Sequence, residues 1–86
     1  MKEIIVGRVA DYFAKIDVVA IEVRENGIKI GDSLHFKGHT TDFIQKINSM
    51  QIEREDVEKA DIGANVGIKA NDRVRKHDKV YKIVED

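Results

Sequence analysis

Residues 27–32 (GIKIGD) and residues 61–68 (DIGANVGI) decide the fold of this chain, because each places glycines among β-branched and other apolar residues. Glycine adopts backbone conformations that other residues avoid, so such segments mark sharp turns. The β-branched residues beside them favour strands. The two segments therefore predict a small β structure that folds back on itself at both points.

The length and composition of the chain are typical of one small globular domain, residues 1–86. Hydrophobic residues make up 42% and charged residues 36%, which lies outside the range of disordered segments. The net charge of -1, from 15 basic and 16 acidic residues, excludes the general positive field of autonomous nucleic-acid-binding proteins. Any contact with RNA must then be local or shared with a partner.

Cysteine is absent, which excludes disulfides, thiolate nucleophiles and thiolate metal sites. The apolar run in residues 1–8 is too short for a signal peptide, and no run is long enough to cross a membrane. These features predict a cytoplasmic protein that makes no membrane contact.

The first half of the chain is rich in strand-forming residues. Residues 3–13 and 16–23 predict an antiparallel hairpin. Residues 33–37 alternate, so we expect Leu34 and Phe36 to face the core.

The second half is less regular. Residues 41–53 fit a helix or a strand, and we expect a strand with Ile44, Met50 and Ile52 on one face and a bulge near Ile47. Two further strands are expected at residues 65–70 and 79–84. Six or seven strands with little helix predict an all-β fold, a small closed barrel, since closure removes exposed strand edges.

Catalytic and cofactor-binding patterns are missing. The phosphate-binding loop of nucleotide-binding proteins is absent, so neither GTP nor another cofactor is expected. Ser33 and Ser49 lie outside any nucleophile-elbow sequence. His35, His39 and His77 are expected to be surface histidines, because a zinc site needs several converging ligands. We therefore expect a protein that is not an enzyme and holds no metal.

Two segments concentrate charge. Residues 53–61 carry five acidic side chains, which are expected in a solvated turn or a single helical turn. In residues 69–82 the cations outnumber the acids. This basic run predicts a phosphate-contacting loop or, equally, a solvated loop that the acidic turn neutralises. Its cations are Lys69, Arg73, Arg75, Lys76, Lys79 and Lys82.

Four segments together resemble the second domain of translational GTPases such as elongation factor Tu: residues 6–9 (VGRV), 27–32, 49–51 (SMQ) and 63–68 (GANVGI). The same barrel is also similar to one appended to some U32-family peptidase-like proteins. The resemblance implies a six- or seven-stranded Greek-key barrel. It does not imply GTP hydrolysis, because the chain has no nucleotide-binding domain.

In elongation factor Tu this barrel helps to form the pocket for the aminoacylated 3′ end of tRNA. Asn65 matches the asparagine that the resemblance places in this pocket. Ser49 and Ile52 stand where the family has an acidic and a basic residue, so two polar contacts of the family are missing.

These observations favour a stand-alone, non-catalytic, translation-factor-like module that contacts RNA or a ribonucleoprotein. Its cations would contact phosphates, and two amides would supply hydrogen bonds near a groove. The candidate residues are Lys69, Arg73, Arg75, Lys76, Gln51 and Asn65. The alternative, favoured by the low net charge, is a protein-interaction module that docks onto a separately encoded enzyme such as a U32-like protein. A third possibility is a small-ligand binder at the barrel mouth.

Overall fold

The computed structural model describes residues 1–85, which form ten β-strands and no helix. The strands are β1 Lys2–Phe13, β2 Val18–Val23, β3 Ile28–Lys29, β4 Ser33–Lys37, β5 Asp42–Lys46, β6 Met50–Ile52, β7 Glu55–Val57, β8 Lys59–Ala60, β9 Asn65–Lys69 and β10 Lys79–Val84. Eight strands form one sheet in the order β5-β4-β10-β1-β2-β9-β6-β7, while β3 pairs with β8. Nothing in the described part of the chain could cross a membrane as a helix.

The long strand β1 organises the sheet because it pairs antiparallel with both β2 and β10. The predicted hairpin of β1 and β2 is confirmed. The register shifts between Ile5 and Gly7 on one side and between Val9 and Asp11 on the other. Such bulges bend a strand and increase its twist. At Gly7 a Cβ atom would lie 1.8 Å from the carbonyl oxygen of Glu22, so β2 can approach only a glycine there.

The core lies on one face of the alternating strands. Leu34 and Phe36 are fully buried, as predicted, and the Phe36 ring stacks on that of Phe43 with 5.1 Å between centroids. Val66 and Ile68 of β9 face the same core. Burial of each large apolar side chain contributes about 1.5–3 kcal/mol, so this alternation holds the sheet in register.

The two glycine-marked segments form turns, as predicted. Gly31 and Gly63 have positive φ angles of 96° and 99°, which favour glycine. The first turn is closed by the amide of Lys29, which donates to Oδ2 of Asp32 over 2.9 Å. In the second turn the Ala64 amide donates to the carbonyl oxygen of Asp61.

The prediction of one bulged strand over residues 41–53 is wrong. The segment forms two strands, β5 and β6, separated by a break that begins at Ile47. Ile47 exchanges backbone hydrogen bonds with Gly31 and Asp32, at 2.9 and 2.8 Å, instead of joining a ladder. It is fully buried, whereas Ile44 is 55% exposed. The interruption of the apolar alternation at Ile47 therefore marks the break between β5 and β6, where the chain changes direction, and not a bulge within one strand.

The acidic side chains of residues 53–61 are exposed, as predicted, but this acidic segment is not helical. It contains β7 and β8, and Glu53 and Arg54 form the two-residue connection from β6 to β7. Both residues have positive φ angles, 50° and 69°, which suit a tight hairpin turn of the type I′ class. Its five acidic side chains are all exposed: Glu53, Glu55, Asp56, Glu58 and Asp61.

The fold is all-β and antiparallel, as predicted, but the closed six- or seven-stranded Greek-key barrel is not found. Strands β5 and β7 are the ends of the eight-stranded sheet, and no ladder between residues 1 and 85 joins them. A side chain of β5 reaches the end of β9 and the residues after it. Gln45 Nε2 donates to the carbonyl oxygen of Lys69 over 2.8 Å, and Gln45 Oε1 accepts from the Asn71 amide over 2.7 Å. The strand count is higher than predicted because residues 41–60 form four strands, β5 to β8, where one was expected.

Candidate binding site

Three of the predicted site residues lie on the outer face of β9 and its neighbour β6. Val66 and Ile68 are buried, so Asn65, Gly67 and Lys69 point outward. Gln51 of β6 lies directly opposite Gly67.

Gln51 and Lys69 share a shallow groove of about 210 Å³ over Gly67. The Gln51 side-chain amide donates to Oδ1 of Asp56 over 3.0 Å. Asn65 lines a neighbouring groove, of about 370 Å³, with Glu22 and Ile62. The structure thus brings Gln51 and Lys69 together and places Asn65 beside them.

The loop of residues 71–78 is anchored by a buried carboxylate. Asp78 is only 6% exposed. Its Oδ2 accepts hydrogen bonds from the Thr41 hydroxyl at 2.5 Å and from the Arg75 amide at 2.8 Å. Gly38 makes room for it, because a Cβ there would lie 2.0 Å from Oδ1 of Asp78. Val74 is buried in the core. The basic loop is therefore fixed at both its middle and its end.

Arg73, Arg75 and Lys76 are exposed on this anchored loop. Arg73 and Arg75 line a groove of about 230 Å³ with residues 40–43 and Asp72. Arg75 Nε donates to the Thr40 hydroxyl over 2.8 Å. Because Asp42 and Asp72 line the same groove, the two arginines are partly neutralised there.

Lys82 does not belong to the basic patch in which the sequence placed it. Its Nζ donates to the carbonyl oxygen of Gly27 over 2.6 Å. Lys82 is paired with Ile4 on one side and the buried Leu34 on the other, so it lies in an inward-facing row. Its ammonium group is thus bound to the segment after β2 and lies on the face opposite to that of Lys79.

His35 is held between two carboxylates and is not a free surface histidine. Its Nδ1 lies 2.9 Å from Oε2 of Glu3, and its Nε2 lies 2.5 Å from Oδ1 of Asp42. The hydrogen bond to Asp42, and then that to Glu3, raises the pKa of His35 against the opposing effect of burial. The same hydrogen bond lowers the pKa of Asp42.

This arrangement suits a structural staple better than a catalytic base. A general base needs a free ring nitrogen, and both nitrogens of His35 are engaged. Within residues 1–85, no three histidine or acidic residues are placed to hold a metal ion.

A second group of cations, of which only Lys79 belongs to the basic run of the sequence, lies on the outer face of three adjacent strands. Arg8 of β1 is directly opposite Lys79 of β10, and Lys79 is directly opposite Lys37 of β4. All three side chains are exposed. We call Arg8, Lys79 and Lys37 the basic row. Only the register of three strands distant in sequence brings them together, so no local pattern could have found them.

The basic row opens onto a cleft of about 600 Å³, where Arg8 and Lys79 meet Arg24, Glu25 and His77. Glu22 is shared between two guanidinium groups, 3.7 Å from Arg8 Nε and 3.4 Å from Arg24 Nε. Three cations, Arg8, Arg24 and Lys79, thus face two carboxylates, Glu22 and Glu25, which leaves the cleft with a small excess of positive charge.

Curated proteins similar to this chain are much longer than it is. The chain is 40% identical over 85 residues, 98% of its length, to an uncharacterised protease of Methanocaldococcus jannaschii, of which the match covers 21%. It is 34% identical over 82 residues, 94% of its length, to a collagenase of Porphyromonas gingivalis, of which the match covers 20%. The chain thus spans about one fifth of the curated relatives it matches. No family model matches it.

A solved structure has the same fold. It is the C-terminal domain of a protein described as a U32 peptidase from Geobacillus thermoleovorans, with a TM-score of 0.86 and 20% identity, covering 93% of this chain and 92% of that one. A selenomethionine variant of that domain gives a TM-score of 0.83, also at 20% identity, over 90% of this chain and 96% of that one. These matches support the resemblance to the barrel of U32-like proteins. They give no support to the resemblance to elongation factor Tu.

Proposed function

We propose that this chain is a non-catalytic docking domain that binds the body of a U32-peptidase-like protein. The observation that carries the proposal is the 40% identity over nearly the whole chain to one fifth of a longer protein named as a protease. A module that recurs as a small part of larger chains has neighbouring protein as its natural partner.

The chemistry of the domain supports a binding role. It has no cysteine, and its best-positioned histidine, His35, has both ring nitrogens bound to carboxylates. Its buried polar side chains Thr41, Gln45 and Asp78 all serve to fix loops. We further propose that the sheet wraps as a barrel whose seam beside β5 is bridged by Gln45.

The test is binding in trans. The Methanocaldococcus protein, expressed without the region that matches this chain, is titrated with the chain by isothermal calorimetry. We expect a one-to-one complex. The full-length protein is the matched control, because its own domain occupies the site and should prevent binding. Absence of binding to the truncated protein at about 100 μM, which corresponds to a weak interaction of roughly 5–6 kcal/mol, would contradict the proposal.

Direct contact with RNA is a second candidate function, and it belongs to the hypothesis of a translation-factor-like module. It is favoured by the exposed cations of the anchored loop, which follow Lys69 at the end of β9. A titration with aminoacylated and deacylated tRNA, followed by NMR, should then shift the amides near Gln51, Asn65 and residues 69–76, with shifts that weaken as salt rises. Arg73→Glu/Arg75→Glu should abolish them, and salt-independent shifts would exclude phosphate contact.

A further inference from the structure

The three cations of the basic row are neighbours that should repel one another. Residues directly opposite on antiparallel strands lie about 5 Å apart, and like charges there are destabilising. Within residues 1–85 neither Lys79 nor Lys37 makes a direct ion pair, although Lys37 helps to lower the pKa of Asp42, and Arg8 shares Glu22 with Arg24. An anion bound over these three cations would offset their mutual repulsion and so stabilise the domain.

The backbone around the bulge of β1 adds a fourth cation to the row. The carbonyl oxygen of Val6, left out of the ladder by the bulge, accepts the amides of Arg24 and Glu25 at 2.8 and 3.0 Å. The carbonyl oxygen of Ile5 accepts the side-chain amide of Asn26 at 2.7 Å. These bonds hold the segment after β2 against β1, so Arg24 faces the same cleft as Arg8 and Lys79.

The opposite wall of the cleft is fixed in the same way. Val9 donates its amide to the carbonyl oxygen of Asp78, and its own carbonyl oxygen accepts the His77 amide. His77 adopts a positive φ of 74°, which is uncommon for a residue other than glycine. Both walls are thus held by backbone hydrogen bonds, and the cleft is preorganised for a ligand.

Apolar side chains lie next to the basic row on the same outer face. The neighbouring cross-strand row joins Ile5, Tyr81, His35 and Ile44. Ile44 is 55% exposed, and Ile5 and Tyr81 are half-buried. At its two ends the basic row is flanked by acids, Glu22 opposite Arg8 and Asp42 opposite Lys37. The positive surface is therefore short and adjoins apolar surface, which suits a protein partner better than an extended phosphate backbone.

We propose that the basic row and Arg24 form the docking site for an acidic segment of the U32-like body, with carboxylates over the cations and apolar side chains over Ile44 and Tyr81. The assignment rests on the docking function proposed above and adds which face docks and what chemistry it recognises.

The test combines charge reversal with two probes. Lys37→Glu/Lys79→Glu should weaken binding of the truncated Methanocaldococcus protein about ten-fold at low salt, mainly through slower association, and the loss should shrink at high salt. The matched control is Lys29→Glu/Lys59→Glu, which reverses two exposed lysines that are also directly opposite each other, on β3 and β8. The control should bind as the native chain does. Circular dichroism establishes that both variants fold.

The outcomes separate the two proposals. Binding of the body that is unaffected by Lys37→Glu/Lys79→Glu overturns the docking face and leaves the docking function standing. If the body does not bind, the docking function fails, and a synthetic peptide of glutamate and leucine then tests the surface alone. Salt-dependent amide shifts at residues 8, 24, 37 and 79 would support acidic-peptide recognition. No shifts there, tighter binding of an oligouridine at the same residues, or self-association through the acidic segment would overturn it.

Discussion

The basic loop of residues 71–78 and the acidic segment of residues 53–61 are both charge-rich connections, yet they are held in different ways. The basic loop is tied to the core by Val74 and the buried Asp78. The acidic segment has all five of its carboxylates in solvent. It is held by its backbone, because β7 pairs with β6 and β8 pairs with β3, and by Ala60, which is buried in the core. The density of charge in a connection therefore does not indicate how it is held, because a buried, hydrogen-bonded carboxylate holds one and strand pairing holds the other.

Asp78→Ala tests whether this carboxylate anchors the basic loop, and we expect it to have the largest effect. The substitution removes two hydrogen bonds and leaves the buried Thr41 hydroxyl and the Arg75 amide without their acceptor. We expect the free energy of unfolding to fall by about 3 kcal/mol, measured by urea denaturation. Glu55→Ala in the acidic segment is the control, with a change within about 0.5 kcal/mol. Equal losses in the two variants would show that Asp78 does not anchor the loop.

Gly38→Ala should disturb the same buried carboxylate through a steric clash. The new Cβ would lie 2.0 Å from Oδ1 of Asp78, so we expect a loss of about 1–3 kcal/mol. Gly67→Ala is the matched control, because its Cβ would meet its nearest neighbour at 3.5 Å, an ordinary contact. In an Asp78→Ala background the cost of Gly38→Ala should shrink. An unchanged cost would mean that the glycine acts independently of the carboxylate.

The acidic segment should respond with the opposite sign. Glu53→Asn/Arg54→Gly replaces two residues held at positive φ by the pair preferred in type I′ turns. We expect a gain of about 1 kcal/mol in the free energy of unfolding, seen as a higher melting temperature. Exchange of both residues for alanine should destabilise the turn instead. A loss on Glu53→Asn/Arg54→Gly would show that contacts of the two side chains outweigh backbone strain.

The smallest effect on stability is expected from a change in pH, which acts through His35 and its hydrogen bonds to Glu3 and Asp42. The pKa of His35 is raised in the folded state, so its contribution to stability is complete below the unfolded pKa of about 6.5 and is lost as pH rises through the folded pKa. The pKa of Asp42 is lowered, so its contribution is lost only in acid, as pH falls through its folded pKa.

Urea denaturation at a series of pH values tests this expectation. Stability should decline as pH rises above about 6.5 in the native chain. It should not do so in His35→Gln. His39→Gln changes an exposed histidine and should keep the native profile. A decline that persists in His35→Gln would assign the pH dependence to another group.

Local patterns in the sequence were sufficient for much of the sheet. Alternation identified Leu34 and Phe36, and glycine identified the turns at Gly31 and Gly63, because both signals arise from neighbouring residues. The break at Ile47 was not predictable, since it depends on backbone hydrogen bonds to Gly31 and Asp32. In the sequence, an interruption of the apolar alternation looks the same whether the strand bulges or ends.

The candidate site was harder to predict from the sequence, because it too depends on contacts between distant residues. The staple joins Glu3 to His35, and the basic row joins Arg8, Lys79 and Lys37, across strands far apart in the chain. Composition identified the cations of the second half but could not say which face they occupy. Lys82 illustrates the limit, because it belongs to the basic run in sequence and to the inward-facing row in space.

The pairing of β1 with β10 has a consequence for protein engineering. Lys2 lies directly opposite Val84, so the two ends of the sheet's central ladder emerge side by side. A short linker could join them, and new termini could be opened in the exposed turn at Glu53 and Arg54 without cutting a ladder. The same adjacency allows the domain to be inserted whole into a surface loop of a host protein, with its outer face still available to a partner.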